Sequence, residues 1–366
     1  MMHAAWQVLK RCQQHFYEKM RLVNEMTSKR VNDFCSKYNR ILEKWMPLLT
    51  PTSVAAGVLL ASWFDSWTFL VPWIFAVMTF SGSLGTNFHD LRKVLLHPLP
   101  LVICMLLLHV LMPLIAFGSS SFLFRGDALT ITGFVLAFII PTGIISLMWV
   151  TINKGNTALT LSIILIDTLL SPFIVPFGLK LFVGAEVQMD AFGMMRGLLW
   201  MVVIPSLIGM MLNQKTEGRI KERIGQPLSL FTKFGLITVI MINSSVAAPY
   251  FKQWNAKLFA IAGTVLMLAA LGYALGWLAA RLLKWEREVI ISMTLNGGMR
   301  NISAGAVLAI AYFPPAVSMP VITGMLFQQM LAASYTALLR KAYGNKLNSD
   351  PTQSMHSAKQ PSAQAE

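Results

Sequence analysis

Three ionisable residues stand inside long apolar runs of the sequence: His109, Asp167 and Arg300. A charge at the centre of a bilayer costs ~2.5–3.5 kcal/mol on insertion scales, so such residues face a protein interior or a watery path and find partners there. Arg300 is permanently protonated, and its planar fork of donors suits a carboxylate or a sulfonate. It also needs a counter-charge. Asp167 is the obvious one, and the two are expected to pair near the middle of the membrane. His109 is a possible proton relay with Asp167, since imidazole changes charge near neutral pH. Its plainer role is a hydrogen bond to a neighbouring helix.

Arg300 lies in a polar interruption. Thr294-Leu295-Asn296-Gly297-Gly298-Met299-Arg300-Asn301-Ile302-Ser303 sets a Gly-Gly pair, two Asn and an Arg within an apolar stretch. A second interruption is Ile140-Pro141-Thr142-Gly143-Ile144-Ile145-Ser146. Pro141 lacks a backbone donor, and Gly143, Gly297 and Gly298 loosen the helix, so these four residues read as hinges of two broken helices. Thr142, Thr168, Thr294, Asn301 and Ser303 either line the crevice at the breaks or bond to their own helices, as hydroxyl residues commonly do in membranes.

The elements that must position these residues follow from composition. Of 366 residues, 55% are hydrophobic and 13% charged, against roughly 25% charged in a soluble domain. Lys and Arg number 30 against 16 Asp and Glu, for a net charge of +14. These charges punctuate apolar runs instead of forming one basic face, which excludes a nucleic-acid binder. Cys12, Cys35 and Cys104 show no metal or redox spacing, which excludes a disulfide scaffold. Ten runs of membrane-spanning length lie near 48–64, 67–86, 96–117, 128–150, 157–178, 192–212, 231–249, 258–280, 289–311 and 317–338. They lack the short alternating pattern of barrel strands.

Loop charge predicts orientation. Arg92, Lys93, Lys154, Lys215, Arg219, Lys221, Arg223, Arg281, Lys284 and Arg287 fall on one side with Arg340, Lys341 and Lys346. The other side holds only Arg125, Lys180, Arg196, Lys252 and Lys257. Under the positive-inside rule both termini are cytoplasmic and the number of spans is even. Ten spans divide into two five-span halves of opposite orientation. That inverted-repeat design places its site at the midplane, where the fourth and ninth spans are broken. The expected fold is therefore an all-α polytopic membrane protein of ten transmembrane helices. They form two inverted five-helix repeats whose broken helices cross.

Residues 1–46 carry nine Lys/Arg and no cleavable apolar core, so they read as a retained cytoplasmic segment. Val31, Phe34, Tyr38, Ile41 and Trp45 share one helical face. This segment either lies on anionic lipid or forms a solvated positive tail. The ten-helix domain occupies 47–342, and the polar residues 343–366 read as a disordered cytoplasmic tail.

Lys154-Gly155-Asn156-Thr157-Ala158-Leu159-Thr160, running into Thr168-Leu169-Leu170-Ser171-Pro172, resembles the crossover segment of the bile acid:sodium symporter family. Asn296-Gly297-Gly298-Met299-Arg300-Asn301 resembles that family's second crossover motif, usually written Glu-Cys-Gly-Met-Gln-Asn. Leu111-Met112-Pro113-Leu114 and Ser81-Gly82-Ser83-Leu84 are similar to the family as well, and the resemblance covers about 48–342. It implies a core domain against a panel domain and sodium-driven transport of organic anions. It also implies positions for two sodium sites. The first-site Ser falls on Ser146, a second hydroxyl falls on Thr160, and the shared Glu becomes Asn296. An Asn and a Thr of that site fall on Leu147 and Ile164. The second-site Gln becomes Arg300, and the third-span Gln falls on Leu108.

Sodium needs oxygen ligands and negative charge, and this chain removes the carboxylate and inserts a guanidinium. The expectation is a secondary transporter of a small organic anion in the cytoplasmic membrane. It works by alternating access without the family's usual two sodium sites, either proton-coupled or as uncoupled flow or exchange. The substrate and ion contacts expected are Ser146, Thr160, Asp167, Thr168, Asn296, Met299, Arg300 and Asn301. The alternatives are sodium symport through a remodelled site and a non-transporting sensor on the same fold. No cofactor or metal is expected. An enzyme is not expected either: the spans hold no second carboxylate beside Asp167 and the sequence has no HExxH.

Overall fold

The computed structural model describes residues 31–46, 48–86, 98–184, 187, 189–252 and 255–343. The first 30 residues and the tail from 344, with their expected roles, lie outside the described residues. Among the described residues the regular elements are helices. In chain order they are α1 (31–46), α2 (Leu48–Leu59), α3 (Ala61–Ser83), α4 (Leu99–Leu123) and α5 (Ala128–Ile139). Next come α6 (Ile145–Ile152), α7 (Thr157–Val183), α8 (Ala191–Lys215), α9 (Arg219–Val246) and α10 (Ala256–Leu282). The last are α11 (Arg287–Gly298), α12 (Ile302–Tyr312) and α13 (Pro315–Tyr343). Seven of them, α3, α4, α7, α8, α9, α10 and α13, have the length and apolar composition to cross a membrane.

Two apolar runs appear as paired half-helices, α5 with α6 and α11 with α12. Proline causes the first break. The residue before a proline is pushed out of the helical region, and Ile140 accordingly takes φ −59° and ψ 150°. The second break leaves Met299 extended, at φ −89° and ψ 122°.

Two wide turns also trace to proline. A proline ring clashes with the carbonyl four residues back. Pro113 therefore displaces the carbonyl of His109, and the helix widens into a π turn over Leu107–Leu111. Pro205 follows the matching π turn at Leu199–Val203. α7 continues through Pro172 and Pro176. The Thr168 carbonyl, which Pro172 cannot satisfy, accepts instead from Ser171 Oγ at 2.8 Å.

α2, α3, α8 and α9 pack together as one layer, with Gly57 of α2 against the Met241 backbone of α9. The other layer joins α4 to α7 with α10 to α13. Its tightest seam is α10 on α11, where Gly272 and Gly276 meet the backbone at Gly297 and Met293. Small residues at that spacing let two membrane helices approach closely. Large apolar residues such as Leu59, Leu181, Phe192 and Met267 are more than 70% exposed, as expected of a lipid-facing surface.

α9 begins earlier than the hydropathy suggests. Arg219, Lys221 and Arg223, read as loop residues from the sequence, lie on its first turns. This basic extension holds α1. Lys233 Nζ, 8% exposed, reaches Glu43 Oε1 at 3.0 Å and Asn39 Oδ1 at 2.8 Å. Asn39 Nδ2 also donates to Gln226 at 3.0 Å. The polar face of α1 thus packs on protein, and the face bearing Phe34, Tyr38, Ile41 and Trp45 is exposed.

Candidate functional site

The two breaks cross each other. Thr142 and Arg300 form an isolated antiparallel bridge. Asn301 N donates to Pro141 O at 2.7 Å, and Gly143 N to Met299 O at 3.4 Å. Thr142 Oγ1 donates to Met299 O at 2.8 Å. Extended backbone in a membrane interior needs such partners, because no water supplies them. The first turns of α6 and α12 both start at this crossing, so two positive helix ends meet there.

Ser146, Thr160 and Asn296 come together in the structure. Ser146 Oγ donates to Asn296 Oδ1 at 2.8 Å, and Asn296 Nδ2 donates to Thr160 Oγ1 at 3.0 Å and to Ser292 O at 2.8 Å. All three residues are fully buried. The amide occupies the space between the two hydroxyls and uses both ends of its dipole to do so. Asn301 stands at the start of α12. Its side chain caps α12 by accepting from Ala304 N at 3.3 Å. Met299 is buried and contributes its carbonyl oxygen to the crossing.

The expected Asp167–Arg300 pair is corrected. Asp167 Oδ1 lies 2.6 Å from His109 Nε2, and Oδ2 accepts from Thr142 N at 2.7 Å. The carboxylate is therefore taken, although its charge still acts on the guanidinium. The physical reason is geometric. The crossing strand presents its Thr142 amide to α7, and the π turn of α4 turns His109 to the same place. Arg300 is 3% exposed, and its Nε, Nη1 and Nη2 have no hydrogen-bond partner among the described residues. Its backbone N donates to Gln328 Oε1 at 3.4 Å.

The glycines expected as hinges also lie against close neighbours. None of Gly143, Gly297 and Gly298 takes a left-handed φ. They serve close approach: a Cβ on Gly298 would strike the Tyr273 ring, and one on Gly143 would press on the Arg300 carbonyl at 3.0 Å.

Thr168 and Ile144 line a crevice between the two layers, facing Ser83, Thr86, Ser206 and Met210. It encloses about 20 Å³, room for roughly one water. Thr86, Ser206 and Met210 carry no signal in the sequence, because isolated Ser, Thr and Met in apolar runs are common; Ser83 belongs to the Ser81–Leu84 stretch that resembles the family. Among the described residues no cluster of His, Cys, Asp and Glu is arranged to hold a metal ion.

Comparison with known proteins fits this arrangement. Residues 72–254 match the Sodium Bile acid symporter family. The uncharacterized protein YbaS of Bacillus subtilis is 53% identical over 296 residues, covering 81% of this chain and 97% of that protein. The uncharacterized sodium-dependent transporter YocS of the same organism is 25% identical over 71% of this chain and 79% of its own. A probable sodium/metabolite cotransporter of rice chloroplasts, BASS2, is 23% identical over 78% of this chain and 68% of its own. With crossed half-helices set in a bundle of apolar helices, and with these relatives, the chain belongs to the sodium bile acid symporter family and is a transporter, not an enzyme.

Proposed function

We propose that this protein carries a small organic anion across the cytoplasmic membrane by alternating access, and that Arg300 replaces the second sodium ion of its relatives with a tethered cation. The observation that carries this is the buried guanidinium at the crossing, with its three nitrogens unpartnered among the described residues. A buried cation without partners is costly, and a carboxylate or sulfonate relieves that cost. A second cation beside it would be repelled at short range in a low dielectric. At the first site the Asn296 amide already satisfies Ser146 and Thr160, so no ion is needed to hold them.

In this reading α5 with α6 and α11 with α12 act as the fourth and ninth of ten spans, in two inverted halves. Both termini are cytoplasmic. The layer of α2, α3, α8 and α9 rocks against the other, opening the crevice at Thr168 to admit the anion. In the closed crevice there is room for little more than water. The test is uptake of labelled organic anions, bile acids and small keto acids among them, into proteoliposomes. Uptake that survives complete replacement of sodium by choline, and falls at least tenfold in Arg300→Gln, supports the proposal. Strict sodium dependence with Arg300→Gln fully active overturns it.

A further inference from the structure

We propose that His109 Nδ1 is the binding site for a proton that travels with the anion, one proton for each monovalent anion. This rests on the anion-carrier reading above and supplies its coupling ion.

The geometry singles out this atom. The His109 side chain is 6% exposed. Its Nε2 faces Asp167 Oδ1 at 2.6 Å, and its Nδ1 is buried with no partner among the described residues. With Asp167 a carboxylate, Nε2 must carry the hydrogen, because a carboxylate only accepts. Nδ1 then keeps its lone pair, turned into the protein with nothing to satisfy it. A proton arriving there makes imidazolium, and the Nε2 hydrogen stays where it is. No other bond changes.

The charged and titratable groups around the dyad are few. Cys104 lies on the same helix, Arg300 on the crossing and Tyr273 on α10. Counting Arg300, Asp167 and neutral His109, the empty cluster is electrically neutral. Anion alone makes it −1, proton alone makes it +1, and both together restore zero. A net charge in this buried setting is penalised by desolvation, so the half-loaded states are disfavoured and the two ligands move together. Their binding reaches the moving parts directly, since Asp167 Oδ2 holds the Thr142 amide and Thr142 is bridged to Arg300.

The proton site is tested on the full chain with 15N-labelled histidine in nanodiscs, taking His109→Gln to assign the signal. The expected result is an Nε2–H tautomer with bare Nδ1 at high pH, converting to imidazolium as pH falls. A hydrogen on Nδ1 at high pH, or no titration between pH 4 and 9, overturns the proposal. Coupling is tested separately in proteoliposomes with taurocholate and pyruvate. For a transported probe, each unit of inward pH gradient should give about tenfold accumulation, with no response to an imposed potassium–valinomycin potential. His109→Gln should lose that accumulation, and its counterflow should fall as well, because the anion then arrives without a neutralising proton. Asp167→Asn should lose the accumulation as well. Accumulation in His109→Gln equal to that of the unaltered protein overturns proton coupling at His109. Absence of counterflow in the unaltered protein with every anion of the panel overturns the carrier reading and leaves the histidine titration to be judged on its own result.

Discussion

Ser146 Oγ lies 2.8 Å from Asn296 Oδ1, and the Nδ2 of that same amide lies 3.0 Å from Thr160 Oγ1. One neutral side chain therefore closes the hydroxyl pair at the position where the family resemblance implies a sodium ion. An amide can do this because it donates at one end and accepts at the other. A carboxylate can only accept, so it would leave the two hydroxyls around a negative centre.

Asn296→Glu follows directly. The new carboxylate is buried and unpaired, and in choline buffer the protein should lose about 3 kcal/mol of stability. Sodium should restore much of it by binding the folded state. Thermal unfolding in choline against sodium chloride reads the effect: Tm of the variant should rise with sodium, and Tm of the unaltered protein should not. A variant insensitive to sodium would show that the hydroxyl pair cannot form an ion site.

Arg300→Gln should separate stability from function. The guanidinium is buried with three nitrogens unpartnered among the described residues, each expensive to leave without a hydrogen bond. Removing them should raise stability by about 1–3 kcal/mol, and anion flux should fall by at least tenfold. A lower Tm in this variant would mean that Arg300 is held by partners other than substrate.

The docking of α1 depends on Lys233, buried between Glu43 and Asn39. Lys233→Met removes both contacts. Hydrogen exchange over residues 31–46 should speed up by about tenfold or more, consistent with the loss of a partly buried pair worth upwards of ~1 kcal/mol. Exchange in α13 should be unchanged.

Asp127 gives a pH dependence. Burial pushes its carboxyl upward, but hydrogen bonds from Lys257 and Thr130 and the nearby Lys257 charge outweigh this and hold it below the usual 3.8. Lys257 Nζ sits 2.6 Å from Oδ2. A carboxyl lowered in the folded state contributes stability that is complete above the unfolded value and is lost as pH falls through the folded one. The Tm advantage of the unaltered protein over Asp127→Asn should therefore be constant above about pH 5 and shrink below 3.8. An advantage that does not shrink as pH falls below 3.8 would contradict the assignment.

The sequence by itself determined where the apolar helices lie and where two of them break. Helix length, the proline at 141 and the Gly-Gly pair at 297–298 act through local sterics and through the thickness of a membrane. It also marked His109, Asp167 and Arg300, because charge inside an apolar run is visible without any fold. What each of them touches was settled only by tertiary structure. Asp167 had two candidate partners far away in the chain, and hydropathy cannot choose between them. The choice was made by the π turn that Pro113 imposes on α4 and by the Thr142 amide freed at the break. Likewise the glycines of the crossing read as flexible in sequence, yet in the fold they are sites of close contact with Tyr273 and Gly272. The same amide that looked like a lost sodium ligand at Asn296 proved to be a bridge, because only the packing of α6 against α7 and α11 brings two hydroxyls to its two ends.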